Sequence, residues 1–415
     1  MRLAPTLTRG GRALIIHHTR HHRVCMASAA GPEAAQHTPP PPKACVHAAS
    51  PAELAAAQQQ LQQGEPLVAQ RGTAGQPDLH CTLLFPGADG SASPQHGAAG
   101  SGAGACGTFR PDEFLSALQT RVLGRVLLTA DTTPSTQVLV QENVARLPDG
   151  LVFVADRQLG GKGRGGNRWE SPGGCLMFTA VKRLAIPGQR LPFVQYIVSL
   201  AVAQAVQTEA AARLQGKSID VRIKWPNDLY AGPLKLGGIL CHSSYRDQLF
   251  HIVIGVGLNL SNRQPTTCVD ALIEAAAAPA ADAADAAGGS AGAAASVQQA
   301  DSTQQQQQQG RRQPPEPVRR EQLLAGILSR LEPMLEQLAS EGFAPFEAEY
   351  CRHWLHSDQQ VLLEEGGRHI PVTIRGLSPN GYLLAADEAG ERYELHPDGN
   401  SLDFFKGLVR KKLPA

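Results

Sequence analysis

From residue 109 onward the apolar positions fall into short runs divided by polar turns, and two periods interleave. Pro111–Leu123 has helical spacing and opens with Asp112 and Glu113, carboxylates suited to the positive end of a helix. Val126–Leu128, Leu151–Ala155 and Leu176–Lys182 are β-branched or apolar runs that predict strands. Phe193–Leu214 returns to helical spacing and Val221–Trp225 alternates. Gly238–Ser243 and Leu249–Leu260 flank the polar Tyr245–Gln248, which predicts an antiparallel hairpin. A further amphipathic helix is predicted over Arg320–Ser340. This α/β pattern predicts one domain over 109–350. After Trp354 the rhythm changes to Val361–Leu363, His369–Ile374, Tyr382–Ala385 and Arg392–Leu395, punctuated by Gly-Gly, Pro-Asn-Gly and Asp-Gly. That spacing predicts a small β-barrel over 351–415.

Two stretches lack such patterning. Residues 38–108 are rich in Pro, Ala, Gln and Gly, and composition predicts a largely disordered extension, with a short helix over Pro51–Gln63 and a strand over Leu79–Phe85. Residues 275–317 are Ala/Gly-rich, then carry Gln304–Gln309 and three prolines, and read as a solvated insertion because patterned sequence resumes on both sides. The most apolar window, Leu191–Thr208, contains Pro192, Gln195, Gln204 and Gln207, which predicts a buried helix and no membrane span.

Composition refines this picture at the N-terminus. Residues 1–37 carry Arg2, Arg9, Arg12, Arg20 and Arg23 before the first acidic residue, Glu33, the pattern of an organelle transit peptide. A plastid is the expected address; a mitochondrion, or the cytosol from an internal start at Met26, are the alternatives. Lys and Arg (38) nearly cancel Asp and Glu (37), which argues against a protein built around nucleic-acid binding. The eight cysteines form no CxxC and no zinc-like cluster, and are expected as scattered thiols.

Four segments carry candidate chemistry. In Gly160–Trp169 (GGKGRGGNRW), glycines allow close backbone approach, successive N–H groups can cradle an anion, and Lys162 and Arg164 add two cations. A flexible basic surface loop, or an RNA-binding segment, has a similar composition. In Lys224–Asp228 (KWPND) a strand-end lysine can present a fixed cation to developing negative charge. Asn227 adds a donor and acceptor, and Asp228 a carboxylate able to help hold a divalent cation; the bland alternative is a turn with a surface Lys-Asp pair. Lys235–Leu240 (KLGGIL) places a cation beside glycines in a strand, and Gly255–Leu260 (GVGLNL) holds Asn259 in an apolar run. A buried asparagine of that kind more often satisfies backbone than ligand.

In this order and spacing the four segments resemble the signature series of the biotin–protein ligases, or holocarboxylase synthetases. His396–Ser401 resembles their eukaryotic, plant- and algal-like branch. The resemblance runs from about Phe109 to the end, apart from 275–317. It implies an α+β fold: a mixed sheet with flanking helices, as in class II synthetases, plus a C-terminal SH3-like β-barrel. It implies activation of biotin by ATP and Mg²⁺ to biotinyl-5′-AMP, then transfer to a lysine on the biotin carboxyl carrier domain of acetyl-CoA carboxylase and related carboxylases. Carried over by motif, Lys224 and Arg164 are catalytic. Ser135, Thr136, Gln158, Gly161, Lys162, Gly163, Lys224 and Gly237 bind biotin; Arg164, Trp169, Asn227, Lys235 and Asn259 bind the nucleotide. No metal-ligand set is implied beyond Asp228. The chain departs from many relatives at Gln137, Lys162 and Asn167, and lacks a winged-helix pattern, so no DNA-binding role is implied. A lipoate or octanoate ligase shares this fold and adenylate chemistry and is the nearest rival; a non-enzymatic RNA-binding protein is the rival from another class.

Overall fold

The computed structural model describes residues 42–61, 65–70, 79–86, 107–278, 315–365, 368–397, 400–403 and 408–411. The expected transit segment 1–37 and the middle of the insertion lie outside them.

The segment expected to lack most structure supplies four elements: β1 (Lys43–Ala48), α1 (Pro51–Leu61), β2 (Leu67–Gln70) and β3 (Leu79–Leu84). The helix and β3 lie close to their predicted places; β1 and β2 were not predicted. In β1 alternate residues, Ala44 and Val46, are buried, and they pack with Leu61, Leu67 and Cys81 against Leu128, Leu139 and Phe153. Six residues of alternation are enough to add an edge to a sheet, yet too few to change the composition of a Pro/Gln/Gly-rich stretch.

Next come α2 (Pro111–Ala117), β4 (Val126–Thr133), α3 (Thr136–Asn143), β5 (Val152–Gln158), β6 (Gly161–Lys162), β7 (Arg168–Trp169) and β8 (Cys175–Leu184). They are followed by α4 (Leu191–Arg213), β9 (Arg222–Lys224), β10 (Asp228–Ala231), β11 (Leu234–Arg246), β12 (Leu249–Asn259), α5 (Val269–Ala277), α6 (Arg320–Glu341) and α7 (Ala344–His353). Helix α2 stops six residues before its predicted end. The buried carboxylate of Glu332 on α6 accepts the backbone N–H of Arg121 (2.9 Å), Val122 (3.1 Å) and Leu123 (2.9 Å), so these donors serve tertiary structure instead of a helix.

Ten strands form one sheet in the order β2-β3-β1-β4-β5-β8-β12-β11-β10-β9. Only β1–β3 and β4–β5 pair in parallel; β11 and β12 form the predicted antiparallel hairpin. Helix α4 packs against α6 and α7. Its span is long and apolar enough to cross a membrane, yet 67% of its most apolar window is buried inside the protein. Arg190 joins α4 to α6 by donating to the carbonyls of Leu338 (3.2 Å) and Ala339 (2.6 Å) at the negative end of α6.

The C-terminal strands β13 (Gln360–Glu365), β14 (Arg368–Leu377), β15 (Leu383–Ala386), β16 (Arg392–Leu395), β17 (Asn400–Asp403) and β18 (Leu408–Lys411) form a second sheet, ordered β16-β15-β14-β13-β18-β17. The four predicted runs lie within β13–β16 or overlap them. Val361, Leu363, Val372, Ile374, Leu383 and Ala385 belong to the same apolar cluster as α4 and α6. The expected boundary near 351 is therefore a change of architecture within one continuous core. Of the described cysteines, Cys81, Cys175, Cys241, Cys268 and Cys351 are free thiols, whereas Cys45 is disulfide-bonded, against expectation.

Candidate active site

Parallel β4 and β5 deliver their carboxyl ends to one edge of the sheet, where open sheets hold ligands. Helix α3 starts there at Thr136, and the glycine-rich loop leaves β5 after Gln158. The loop is pinned to the end of β4: Leu159 N–H donates to Thr133 (3.0 Å) and Gly160 N–H to Pro134 (2.8 Å). It then runs out through β6, makes a single turn at Arg164–Gly166, and returns through β7. Gly165 (φ 62°) and Gly166 (φ 80°) take left-handed backbone there, which explains the glycine pair.

Beneath the loop is a cavity of about 480 Å³. It brings together Ser135, Thr136, Gln158, Lys162, Gly163, Arg164, Trp169, Asn227, Asp228 and Lys235, all singled out from the sequence. Its polar end is a directed chain of hydrogen bonds. Thr179 Oγ1 donates to Thr136 Oγ1 (2.9 Å), while Thr136 donates to Gln158 Oε1 through Oγ1 (3.3 Å) and N–H (2.9 Å). The Gln158 amide is thereby oriented, its Nε2 turned towards Ser171 Oγ at 3.4 Å.

Ser135 occupies the N-cap of α3, where serine ordinarily accepts a bond from the first turn, but it makes no such bond. Its side chain is 2% exposed and its hydroxyl has no protein partner. The buried indole N–H of Trp169 is likewise unpartnered. Leaving such a group unsatisfied costs about 1–3 kcal/mol, so two unmet polar atoms in residues lining one cavity mark it as a place for a polar ligand.

The floor is made by glycines on β12. A Cβ at Gly257 would come within 2.6 Å of the Trp169 ring, and one at Gly255 would overlap the Gln137 amide. Trp169 and Gln137 therefore lie directly on bare backbone. Gln137 Nε2 is also shared between Leu240 O (3.3 Å) and His242 Nδ1 (3.0 Å).

The other wall is cationic. Lys162, Arg164, Arg168 and Lys235 line the cavity against one carboxylate, Asp228, which Lys235 meets at 2.8 Å. That imbalance suits a polyphosphate. Arg164 Nη1 reaches Asn227 Oδ1 at 3.4 Å, so the loop touches the KWPND turn; Asn227 Nδ2 donates in turn to Ile239 O at 2.7 Å.

Four residues singled out from the sequence stand outside the lining. Gly161 packs on Trp169, and Gly237 lies beneath the carbonyl of Gly257. Asn259 is buried in its own network, accepting from Asn262 Nδ2 (2.9 Å) and donating to Thr266 Oγ1 (3.1 Å). Lys224 is directly across the ladder from Asp228, hence on the same face of the sheet, with Nζ 5.5 Å from the Tyr230 ring centre. Sequence reasoning did not assign roles to Gln137, Thr179, Gly255, Gly257 or Arg168. The spacing of Gly255 and Gly257 along one strand face was the available signal for the floor. Among the described residues no group of three or more His, Cys, Asp or Glu could hold a metal ion.

The family model described as the biotin/lipoate A/B protein ligase family matches residues 129–259. Biotin–protein ligase 2 of Arabidopsis thaliana is 39% identical over 311 residues, 74% of this chain and 83% of the relative. The Arabidopsis biotin–protein ligase 1, chloroplastic, is 39% identical over 310 residues, 74% of each chain. The human biotin–protein ligase is 35% identical over 314 residues, 73% of this chain and 38% of the relative. A crystal structure of biotin protein ligase from Aquifex aeolicus is similar with a TM-score of 0.43 and 19% identity, covering 64% of this chain and 93% of that one. With two relatives matched at this identity over most of both chains, the chain belongs to the biotin–protein ligase family.

Proposed function

We propose that the cavity performs an adenylyl transfer followed by an acyl transfer. In the first, a biotin carboxylate oxygen attacks the α-phosphorus of ATP, forming biotinyl-5′-AMP as the bond to the β-phosphate breaks and pyrophosphate leaves. In the second, the ε-amine of a carrier lysine attacks the acyl carbon; AMP leaves, the amine loses a proton and an amide bond forms. Neither step needs a protein nucleophile. What they need is alignment and compensation of charge on phosphoryl oxygens.

The observation that carries this reading is the buried, unpartnered Ser135 hydroxyl beside the ordered Thr136–Gln158 pair. Together they offer a directed donor and acceptor set at the closed end of the cavity. The ureido ring of biotin satisfies such a set; the hydrocarbon end of octanoate or the dithiolane ring of lipoate leaves it unpaired, which disfavours those substrates strongly. In the same reading Lys162, Arg164 and Lys235 take the phosphates, and Trp169, with its free N–H, takes the nucleotide side. Lys224 supplies the cation at the carboxylate–phosphate junction. The loop also excludes water from the mixed anhydride between the steps. Asp228, already engaged by Lys235, does not make a protein-held Mg²⁺ site, so the cation accompanying ATP is assigned to the phosphates.

A second cavity, of about 1060 Å³, lies on the other side of the same loop, between Tyr196 and Leu240 and the C-terminal residues Tyr382, Arg392 and His396. It gives the carrier lysine of acetyl-CoA carboxylase or a related enzyme a path to the acyl carbon. The test is ATP–pyrophosphate exchange by the full chain with Mg²⁺ and biotin, octanoate or lipoate. Exchange should require biotin and fall about a hundredfold or more in Lys224→Ala. Exchange supported by the fatty acids would move the substrate assignment to the lipoate side of the family.

We assign the protein to the plastid on the basic, acid-free leader; the similarity to a relative named chloroplastic is consistent with that address. A fluorescent reporter carrying residues 1–42 should enter plastids, and retention in the cytosol would overturn the assignment.

A further inference from the structure

We propose that His356 is a positioning residue for Lys224, acting through the backbone of Trp225; this rests on the reading of Lys224 as the cation of adenylate formation. Residues 354–356 extend the far edge of the large sheet. Trp354 bridges Ile223 in parallel register, and Leu355 N–H donates to Ile223 O at 3.0 Å. One residue on, His356 is 0% exposed, and its Nε2 accepts the backbone N–H of Trp225 at 3.0 Å. Its Nδ1 faces Gln359 Oε1 at 3.0 Å, an acceptor, so the ring proton sits on Nδ1 and Nε2 keeps its lone pair. The Trp225 indole N–H donates to Tyr196 OH at 2.7 Å, and Tyr196 OH donates to Gly381 O in the C-terminal sheet.

Trp225 is thus held at its backbone by the segment leading into β13 and at its side chain by α4. Lys224, the residue before it, has its strand fixed on both edges: β10 on one side, residues 354–356 on the other. A cation that stabilises a transition state works only at its proper distance, and a displacement of about 1 Å can cost on the order of a hundredfold. His356 lines neither cavity, so its effect on catalysis passes through Lys224.

The experiment is biotin-dependent ATP–pyrophosphate exchange by the full chain. His356→Leu should lower kcat about tenfold while both KM values stay within about twofold, because alignment is lost and the binding walls are untouched. His356→Gln, which can bring an amide oxygen near the place of Nε2, should restore kcat to within about threefold of wild type. In a Lys224→Met background, His356→Leu should lower the residual exchange no further, since the residue it acts through is gone. If His356→Leu does not fold, His356→Asn, with its acceptor drawn back, carries the same expectations. Unchanged kcat, or a loss that repeats in full on Lys224→Met, would overturn the positioning role. Wild-type exchange by Lys224→Met would instead overturn the reading of Lys224 itself.

Discussion

Ser135 shows how much a single hydroxyl can say. It sits at the start of α3 and leaves the first-turn N–H groups alone, so its removal should not weaken the fold. Ser135→Ala is expected to raise the KM for biotin about tenfold, the value of one lost hydrogen bond to a buried ligand, with the melting temperature unchanged. A lower melting temperature with unchanged KM, read by exchange kinetics and thermal melts, would make the hydroxyl structural. The polar residues of that end of the cavity were legible only through the resemblance to the family's motifs, since the residues by themselves predicted no helix beginning at Thr136. The glycine floor was less so. Sequence reasoning credited Asn259, the polar residue of its segment, whereas Gly255 and Gly257 on the same strand face line the cavity and Asn259 folds into a network with Asn262 and Thr266. A glycine that makes room leaves no side chain to notice.

At the scale of elements, long apolar periodicities were read well: α4, α6, β8 and the β11–β12 hairpin fall close to their predicted bounds. What escaped was set by distant partners. The end of α2 is decided by Glu332, some two hundred residues away along the chain, and β1 is a strand because β4 offers it an edge. Among the described residues the sheet therefore begins at Lys43 and not near 109. A chain starting at 109 strips β1 from β4 and bares Leu128, Leu139 and Phe153. It is expected to melt more than about 10 °C below a chain starting at 42, and to aggregate through the exposed edge. A 109–415 chain that is monomeric by light scattering and equally stable would show that β1–β3 are dispensable.

At the scale of the molecule, the two sheets share one core and one buried histidine between them. Burial holds His356 down at about 4 against an ordinary 6.5. The native state thus refuses a proton that the unfolded chain accepts. The stability concerned is complete above pH 6.5 and is lost as pH falls towards about 4, by on the order of 3 kcal/mol in all. His242 and His353 are shifted down by burial as well and steepen the same slope. Urea midpoints should therefore fall between pH 7 and pH 5; a flat profile would mean that His356 is not held neutral. The bond from Trp225 N–H to His356 spans 131 residues of sequence and also has a bearing on synthesis. At about 5–20 residues per second the ribosome needs roughly 7–26 s to reach His356 after it has made the lysine. During that interval the nascent chain holds most of the binding cavity but not the alignment of Lys224. On the positioning role proposed for His356, full acyl-adenylate formation is therefore expected only after that histidine has been made.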